Sequence, residues 1–291
     1  MSRFDGSVVG THKIVDAGAS SERWDLVVLS DGFRGDELQQ YERTVDAFVQ
    51  RLFSTPPFDQ LRSAINVHRV DVASNESGAG NRLTGERRAT FFGSEFGVNG
   101  LDRLLVPNEV LALEVAAEKV PAMNETLMIV NSPQYGGSGG AVAVSSLAPE
   151  ALDVLLHEMG HSYFGLADEY LFYSDCEDPA RARYAGAEPP EPNVTADLAH
   201  LKWSSLVTPG VPLPTARNTG CAQCDPAPPE GVPPGVTGAF EGGQYYRCGI
   251  YRPAFNCKMR QTNEPFCAVC QAAIRRTLEP YLPKRRRASR S

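Results

Sequence analysis

Residues 155–170 read LLHEMGHSYFGLADEY, and no other stretch of the chain restricts its fold as tightly. An α-helix turns about 100° per residue, so positions i and i+4 lie about 40° apart on one face. If the stretch is helical, His157 and His161 converge on a single point, with Glu158 beside the first of them. Val154, Leu155 and Leu156 lead into the motif. Such an apolar approach sends the helix into a core, whereas two unrelated histidines on a solvated helix would need none. Gly160 allows close packing, at a cost in helix stability of up to about 1 kcal/mol.

Two histidines at this spacing, with a glutamate after the first, form a zinc-hydrolase signature. Zinc lowers the pKa of a bound water toward neutrality, and the glutamate can take its proton and pass it to a leaving amine. A catalytic zinc needs three protein ligands and one open position. Gly165 can end the helix with a left-handed residue and turn the chain back beneath the metal, so that Asp168 or Glu169 supplies the third ligand. Otherwise these acids lie in a solvated loop, or steady the histidines through hydrogen bonds.

Around this stretch the chain changes character. Asp25–Ser30, Ile65–Val72, Thr126–Val130 and Ala141–Ser146 read as strands, the last of them edge-like and preceded by the glycine-rich loop YGGSGG. Gly35–Ser54 and Val106–Val120 read as helices, the second with Pro107 at its start, and Pro149 opens the motif helix. Strands alternating with helices imply an α/β layer arrangement. Residues 186–240 are instead rich in Pro and Gly, an irregular lobe followed by a helix expected over Cys267–Leu282. The expected division is an α/β lobe over 1–170 with the motif helix, an irregular Pro/Gly- and Cys-rich lobe over 171–283, and a basic tail over 284–291. That tail, KRRRASR in part, reads as solvated and disordered, with docking or targeting as the alternative.

Totals exclude several classes. A net charge of -7 over 291 residues argues against a nucleic-acid binder. No apolar run approaches the length a bilayer requires, so no membrane span is expected. The segment MSRFDGSVVG lacks the basic start and apolar stretch of a secretory signal, which points to the cytoplasm, or to secretion if the true N-terminus is missing. The composition does not bear on oligomeric state.

All seven cysteines follow the motif: Cys176, Cys221, Cys224, Cys248, Cys257, Cys267 and Cys270. The Cys-x-x-Cys pairs Cys221/Cys224 and Cys267/Cys270 could hold a second, structural zinc. Disulfides pinning the irregular lobe, or reduced buried thiols, remain open beside that reading. His12 and His68 read as ordinary histidines, while His200, in the helix expected over ADLAHLKW, is a reserve metal ligand.

The run HEMGHSYFGLADEY resembles the H-E-x-x-H-x-x-x-G-x-x-D-E-Y stretch of the IgA-peptidase-like zinc metallopeptidases. Upstream, DLVVLSDGF and VDVASNESGAGN are similar to that family's early segments; downstream, GIYRPAFNCKMR and EPFCAVC are similar to its closing segment. The resemblance implies a zincin-like, metzincin-related three-layer catalytic domain and hydrolysis of a protein or peptide substrate. His157, His161 and Asp168 would bind zinc, with Glu158 as general base and then general acid. Metzincins carry H-E-x-x-H-x-x-G-x-x-H; here one extra residue precedes the glycine, and Asp168 stands where the last histidine would. Asp168 is favoured over Glu169 because it keeps the three-residue step from the glycine. The resemblance further implies a methionine turn at Met259, a substrate-aligning rim in the strand AVAVSS, and an oxyanion donor among Tyr245, Tyr246 and Tyr251. The rival functions are a zinc-containing binding protein without activity and an amide hydrolase acting on something other than peptides.

Overall fold

Trp24–Asp31 (β2) is buried at every position, as a strand covered on both faces must be. Its neighbours explain how. In the computed structural model, which describes residues 5–172, 176 and 178–284, β2 lies inside a mixed six-stranded sheet. The elements, in chain order, are β1 (Gly6–Val15), β2, α1 (Leu38–Ser54), α2 (Phe58–Leu61), β3 (Ile65–Ser74), β4 (Gly80–Asn81), β5 (Glu95–Phe96), α3 (Glu109–Lys119), β6 (Glu125–Val130), β7 (Gly137–Gly139), β8 (Ala143–Ser145), α4 (Ala151–Ser162), β9 (Phe240–Gly243), β10 (Tyr246–Arg252) and α5 (Ala268–Leu278). The large sheet has the order β1-β3-β2-β6-β8-β7. The four inner strands are mutually parallel, and the two outer ones run antiparallel to their neighbours.

The chain divides into two compact units, one of residues up to Glu158 together with those from Arg275 onward, the other Met159–Ile274. The division falls inside α4, earlier than the 170/171 boundary expected from composition, and the last helix is shared rather than wholly in the second part.

In the first unit, Val27 and Leu29 of β2 join Met128, Val144 and the α3 residues Ala112, Val115 and Ala116 in one apolar cluster. The alternation of a strand sends Leu26 and Val28 to the opposite face. There Tyr41 of α1 donates its hydroxyl to the Val28 carbonyl at 2.7 Å. Arg51 of α1 grips Asp153 of α4 with Nη2 at 2.7 and 2.9 Å from the two carboxylate oxygens. β1 is an edge strand over a region that gave no clear signal in the sequence, because its burial alternates only weakly. Asn108 rather than Pro107 caps α3, its side chain accepting from Leu111 N–H.

The strand expected over Ala141–Ser146 forms only over Ala143–Ser145, and it is internal, between β6 and β7. The loop expected before it contains the edge strand β7. Glycines supply no side chain from which a strand pattern could be read.

The second unit is irregular, as its Pro and Gly content implies, but it is cross-linked. Cys176 pairs with Cys224 and Cys221 with Cys248, closing loops of 48 and 27 residues. In the loop-closure picture each restrains the unfolded chain by about 4 kcal/mol. The hairpin β9–β10 gives it its only sheet among the described residues. No helix forms around His200, where the chain makes turns. The basic tail expected at the C-terminus falls, beyond Lys284, outside the described residues. Among the described residues no helix is long and apolar enough to cross a membrane.

Asp31, at the end of β2, is fully buried. Its carboxylate accepts from Phe92 N–H at 3.0 Å, Ser94 N–H at 2.9 Å and the Thr90 hydroxyl at 3.0 Å. Each buried donor left without an acceptor costs about 1–3 kcal/mol. Asp31→Ala should therefore lower the stability of the first unit by about 3 kcal/mol, read as the shift of a urea midpoint followed by far-UV circular dichroism. A loss under about 1 kcal/mol would mean that this network is not what holds the segment.

Candidate metal centre

α4 delivers its three motif residues as the helical repeat requires. Among the described residues, the ligand atoms of His157, Glu158 and His161 lie within 4.8 Å of one another. His157 is buried and the other two are half-buried. The helix is held at its start by apolar burial of Val154, Leu155 and Leu156, and by the Arg51–Asp153 ion pair. A Cβ placed on Gly137 of β7 would lie 3.4 Å from Glu158 Cγ, so the edge strand runs beside the glutamate. The outer side of Gly137 is occupied, its N–H donating to Arg103 O and its carbonyl accepting from Leu105 N–H. Substrate addition along AVAVSS, as expected from the sequence, is thus not open: that strand is internal, and the first residue of the true edge is already paired.

Within the second unit the chain after α4 makes the return that the glycine implied. Gly165 has a φ of 60° and open space where a side chain would stand, so the left-handed turn is chosen by backbone conformation rather than crowding. Leu166 N–H reaches back to Gly160 O at 2.9 Å, satisfying a carbonyl at the helix end. The Leu166 carbonyl then stands 2.6 Å from His161 Nδ1. A carbonyl oxygen can only accept, so Nδ1 carries a proton, and the ring's other nitrogen is Nε2. That nitrogen faces Asp168 Oδ1 at 3.1 Å. A proton on Nε2 or a metal ion shared with the carboxylate satisfies this contact equally. The arrangement is compatible with a metal ion at His161, with Asp168 standing beside it.

Asp168 is tied on its other side as well. Tyr245 donates its hydroxyl to Asp168 Oδ2, and Gln244 N–H donates to the Asp168 carbonyl at 2.9 Å. Met259 is fully buried. A Cβ added to Gly160 would come within 2.8 Å of Met259 Sδ, so the glycine inside the motif is where Met259 packs.

Glu169 faces elsewhere. It is fully buried, its N–H donating to Met259 O at 2.7 Å and its Oε1 accepting from Asn193 Nδ2 at 2.9 Å. Its ligand atom groups with those of Cys257, Cys267 and Cys270, again within 4.8 Å. Burial pushes the Glu169 carboxyl well above the usual carboxylate range; Cys257 adds to this and the Asn193 amide opposes it. Burial likewise raises the Cys257 and Cys270 thiols. Hydrogen bonds from Cys257 and then Cys270 bring Cys267 down to about 6.

The four cysteines that could have held a second zinc are not together. Cys221 and Cys224 are spent in disulfides with Cys248 and Cys176, while Cys267 and Cys270 lie with Cys257. Tyr251 is mostly buried and hydrogen-bonds to Glu241, so of the three tyrosines it is Tyr245 that reaches Asp168. Tyr246 packs edge-on against Tyr184. His200 is exposed and paired with Asp197 at 2.7 Å, away from the motif's partners. Asn193 was not anticipated. It lies in the Pro-rich EPPEPN run, and a lone asparagine there looks like any turn residue. In the fold it both donates to and accepts from the Ala167 backbone, clamping the segment that carries Asp168.

Two histidines and a glutamate on one helix, with a carboxylate returned to the second histidine, make a candidate metal site. The sequence model of the IgA Peptidase M64 family matches residues 12–221 and 229–278, and the chain belongs to that family. It is a metallopeptidase, hydrolysing peptide bonds. A search of curated proteins finds no similar sequence.

Gly160→Ala tests the packing under the helix. Alanine gains up to about 1 kcal/mol of helix propensity, but overpacking a filled core costs about 1–3 kcal/mol. A net loss of stability is expected in chemical denaturation, and Met259→Ala in the same background should relieve the clash. A stabilised Gly160→Ala protein would show that Met259 does not press on the helix.

Proposed function

We propose that the protein is a zinc-dependent endopeptidase with a zincin-like, metzincin-related catalytic domain, acting on protein or peptide substrates. The observation that carries this reading is the commitment of His161 Nδ1 to the Leu166 carbonyl, which aims Nε2 at Asp168 Oδ1. His157, His161 and Asp168 would hold the ion. When bound, zinc supplies Lewis acidity that brings water deprotonation into the neutral range and polarises the scissile carbonyl. Glu158 is the proton carrier: its carboxylate takes a proton from the attacking water and gives it to the leaving amide nitrogen. Tyr245 steadies Asp168, donating its single hydroxyl proton to Oδ2. The two disulfides of the second unit favour an oxidising compartment over the cytoplasm. A binding protein that has lost activity would have no use for Glu158 beside its ligands, and the peptidase reading is preferred for that reason.

Cleavage of a denatured protein mixture, with and without a chelator, tests the reading directly. Activity should be abolished by the chelator and restored by zinc. Glu158→Gln should keep its metal while activity falls by roughly a hundredfold or more. If the metal goes with the carboxylate, Glu158 is a ligand and not the base.

Asp168→Ala should lose zinc from the histidine site on dialysis against a weak chelator, since only two protein ligands remain. Glu169→Ala should keep zinc at that site. Circular dichroism must first show both variants folded. The opposite pattern would exchange the two roles, and retention by both would place the third ligand elsewhere.

A further inference from the structure

We propose that Glu169, Cys257, Cys267 and Cys270 bind a second, structural zinc ion, separate from the one assigned to His157, His161 and Asp168. The geometry is that of a tetrahedral site. Cys257 Sγ and Cys270 Sγ are 3.6 Å apart, and Cys270 Sγ is 3.6 Å from Glu169 Oε1. Around zinc with sulfur at about 2.3 Å and carboxylate oxygen at about 2.0 Å, tetrahedral edges come to about 3.8 Å for two sulfurs and about 3.5 Å for sulfur and oxygen.

The cluster also contains an atom with unmet bonding capacity. Glu169 Oε2 is buried and has no hydrogen-bond partner. An orphaned carboxylate oxygen in a dry pocket of thiols is costly. A metal ion resolves that cost by taking the carboxylate as a ligand. The surroundings suit thiolates. Cys267 N–H donates to Cys257 Sγ at 3.3 Å, the kind of backbone contact that stabilises a ligating sulfur. Zinc with three thiolates and one carboxylate carries a net charge of -2. The buried guanidinium of Arg252 lies within electrostatic reach of both Glu169 and Cys257, and that of Arg260 within reach of Glu169. The buried Arg252 is explained if the cluster is anionic, whereas Arg260 is already paired with Asp225 at 2.6 Å.

The site would be the anchor of the return segment. Glu169 directly follows Asp168, and Cys257 lies two residues before Met259. One ion would thereby fix the chain at both the third ligand of the histidine site and the methionine turn. Zinc is chosen over iron because a structural tie that mixes sulfur and oxygen donors needs no redox change.

The test is metal analysis of the full chain beside a variant carrying His157→Asn and His161→Asn. The parent should hold two zinc ions and the double variant one. X-ray absorption of the double variant should show about three sulfur neighbours near 2.3 Å. Adding Glu169→Gln to the double variant should let a chelator strip the remaining ion while circular dichroism stays native. If the histidine site fails but this one stands, parent and double variant both carry one sulfur-bound zinc. A parent with one zinc and a double variant with none overturns the proposal. So does iron in place of zinc. So does a denaturing thiol titration of chelated, unreduced protein that finds one free thiol instead of three, since the trio would then contain a disulfide. Should the double variant fail to fold, the parent decides alone: two zinc ions with a mixed sulfur and nitrogen/oxygen shell support the site, and one zinc without sulfur neighbours sinks it.

Discussion

The Leu166 carbonyl sets the rest of the centre. By accepting from His161 Nδ1 it fixes a proton on that nitrogen and how the ring is turned. A histidine delivered by a helix has freedom about two side-chain bonds, and a metal site tolerates little of it. The carbonyl that removes this freedom comes from the residue immediately after the left-handed turn at Gly165. The end of the helix, the orientation of the ligand and the approach of Asp168 are thus one local event.

That event is braced by backbone hydrogen bonds as well as by apolar burial of Leu166, Ala167 and Met259. The Ala167 amide and carbonyl both meet Asn193, and the Glu169 amide meets Met259 O at 2.7 Å. The apolar cluster nearby is small, built on Ala167, Val194 and Ile250. An irregular unit with few regular elements needs directional bonds and cross-links to hold one conformation. This is why the second unit carries every cysteine of the chain, while the first, with its six-stranded sheet and its α3 cluster, carries none.

Where the sequence was legible follows from periodicity. The buried strands β2 and β6 and the amphipathic α1, with Tyr41, Val45, Phe48 and Leu52 on one side, stand in the sequence as apolar runs at the spacing of their elements. The grouping of His157 with His161 was legible because helical geometry alone brings i and i+4 together. Two things were not. β7 is the run Gly-Ser-Gly, which has no side-chain pattern, so the sheet edge was assigned one strand too far in. Cysteine partnership depends on long-range folding: spacing grouped Cys221 with Cys224, but chain closure paired them with Cys248 and Cys176 and left Cys257 to join Cys267 and Cys270.

The tip of the β9–β10 hairpin shows what such a site demands of its supports. Gln244 and Tyr245 both have positive φ, 49° and 67°, in a turn where Asn-Gly would sit without strain. A non-glycine residue held there costs about 1–2 kcal/mol. Gln-Tyr therefore gives the hairpin no turn signal in sequence and a penalty in structure. The return is functional. Gln244 N–H takes the Asp168 carbonyl, Tyr245 N–H takes the Tyr170 carbonyl at 3.0 Å, and the Tyr245 hydroxyl takes Asp168 Oδ2. Glycine in place of Tyr245 would relax the turn and leave Asp168 Oδ2 without its tyrosine donor. Strain of this kind persists where the surrounding contacts over-determine the conformation. Here they do, because the disulfide at Cys248 and the buried Arg252, whose Nη1 bonds the Glu241 and Gly242 carbonyls at 3.1 and 2.9 Å, hold both strands of the hairpin behind its tip.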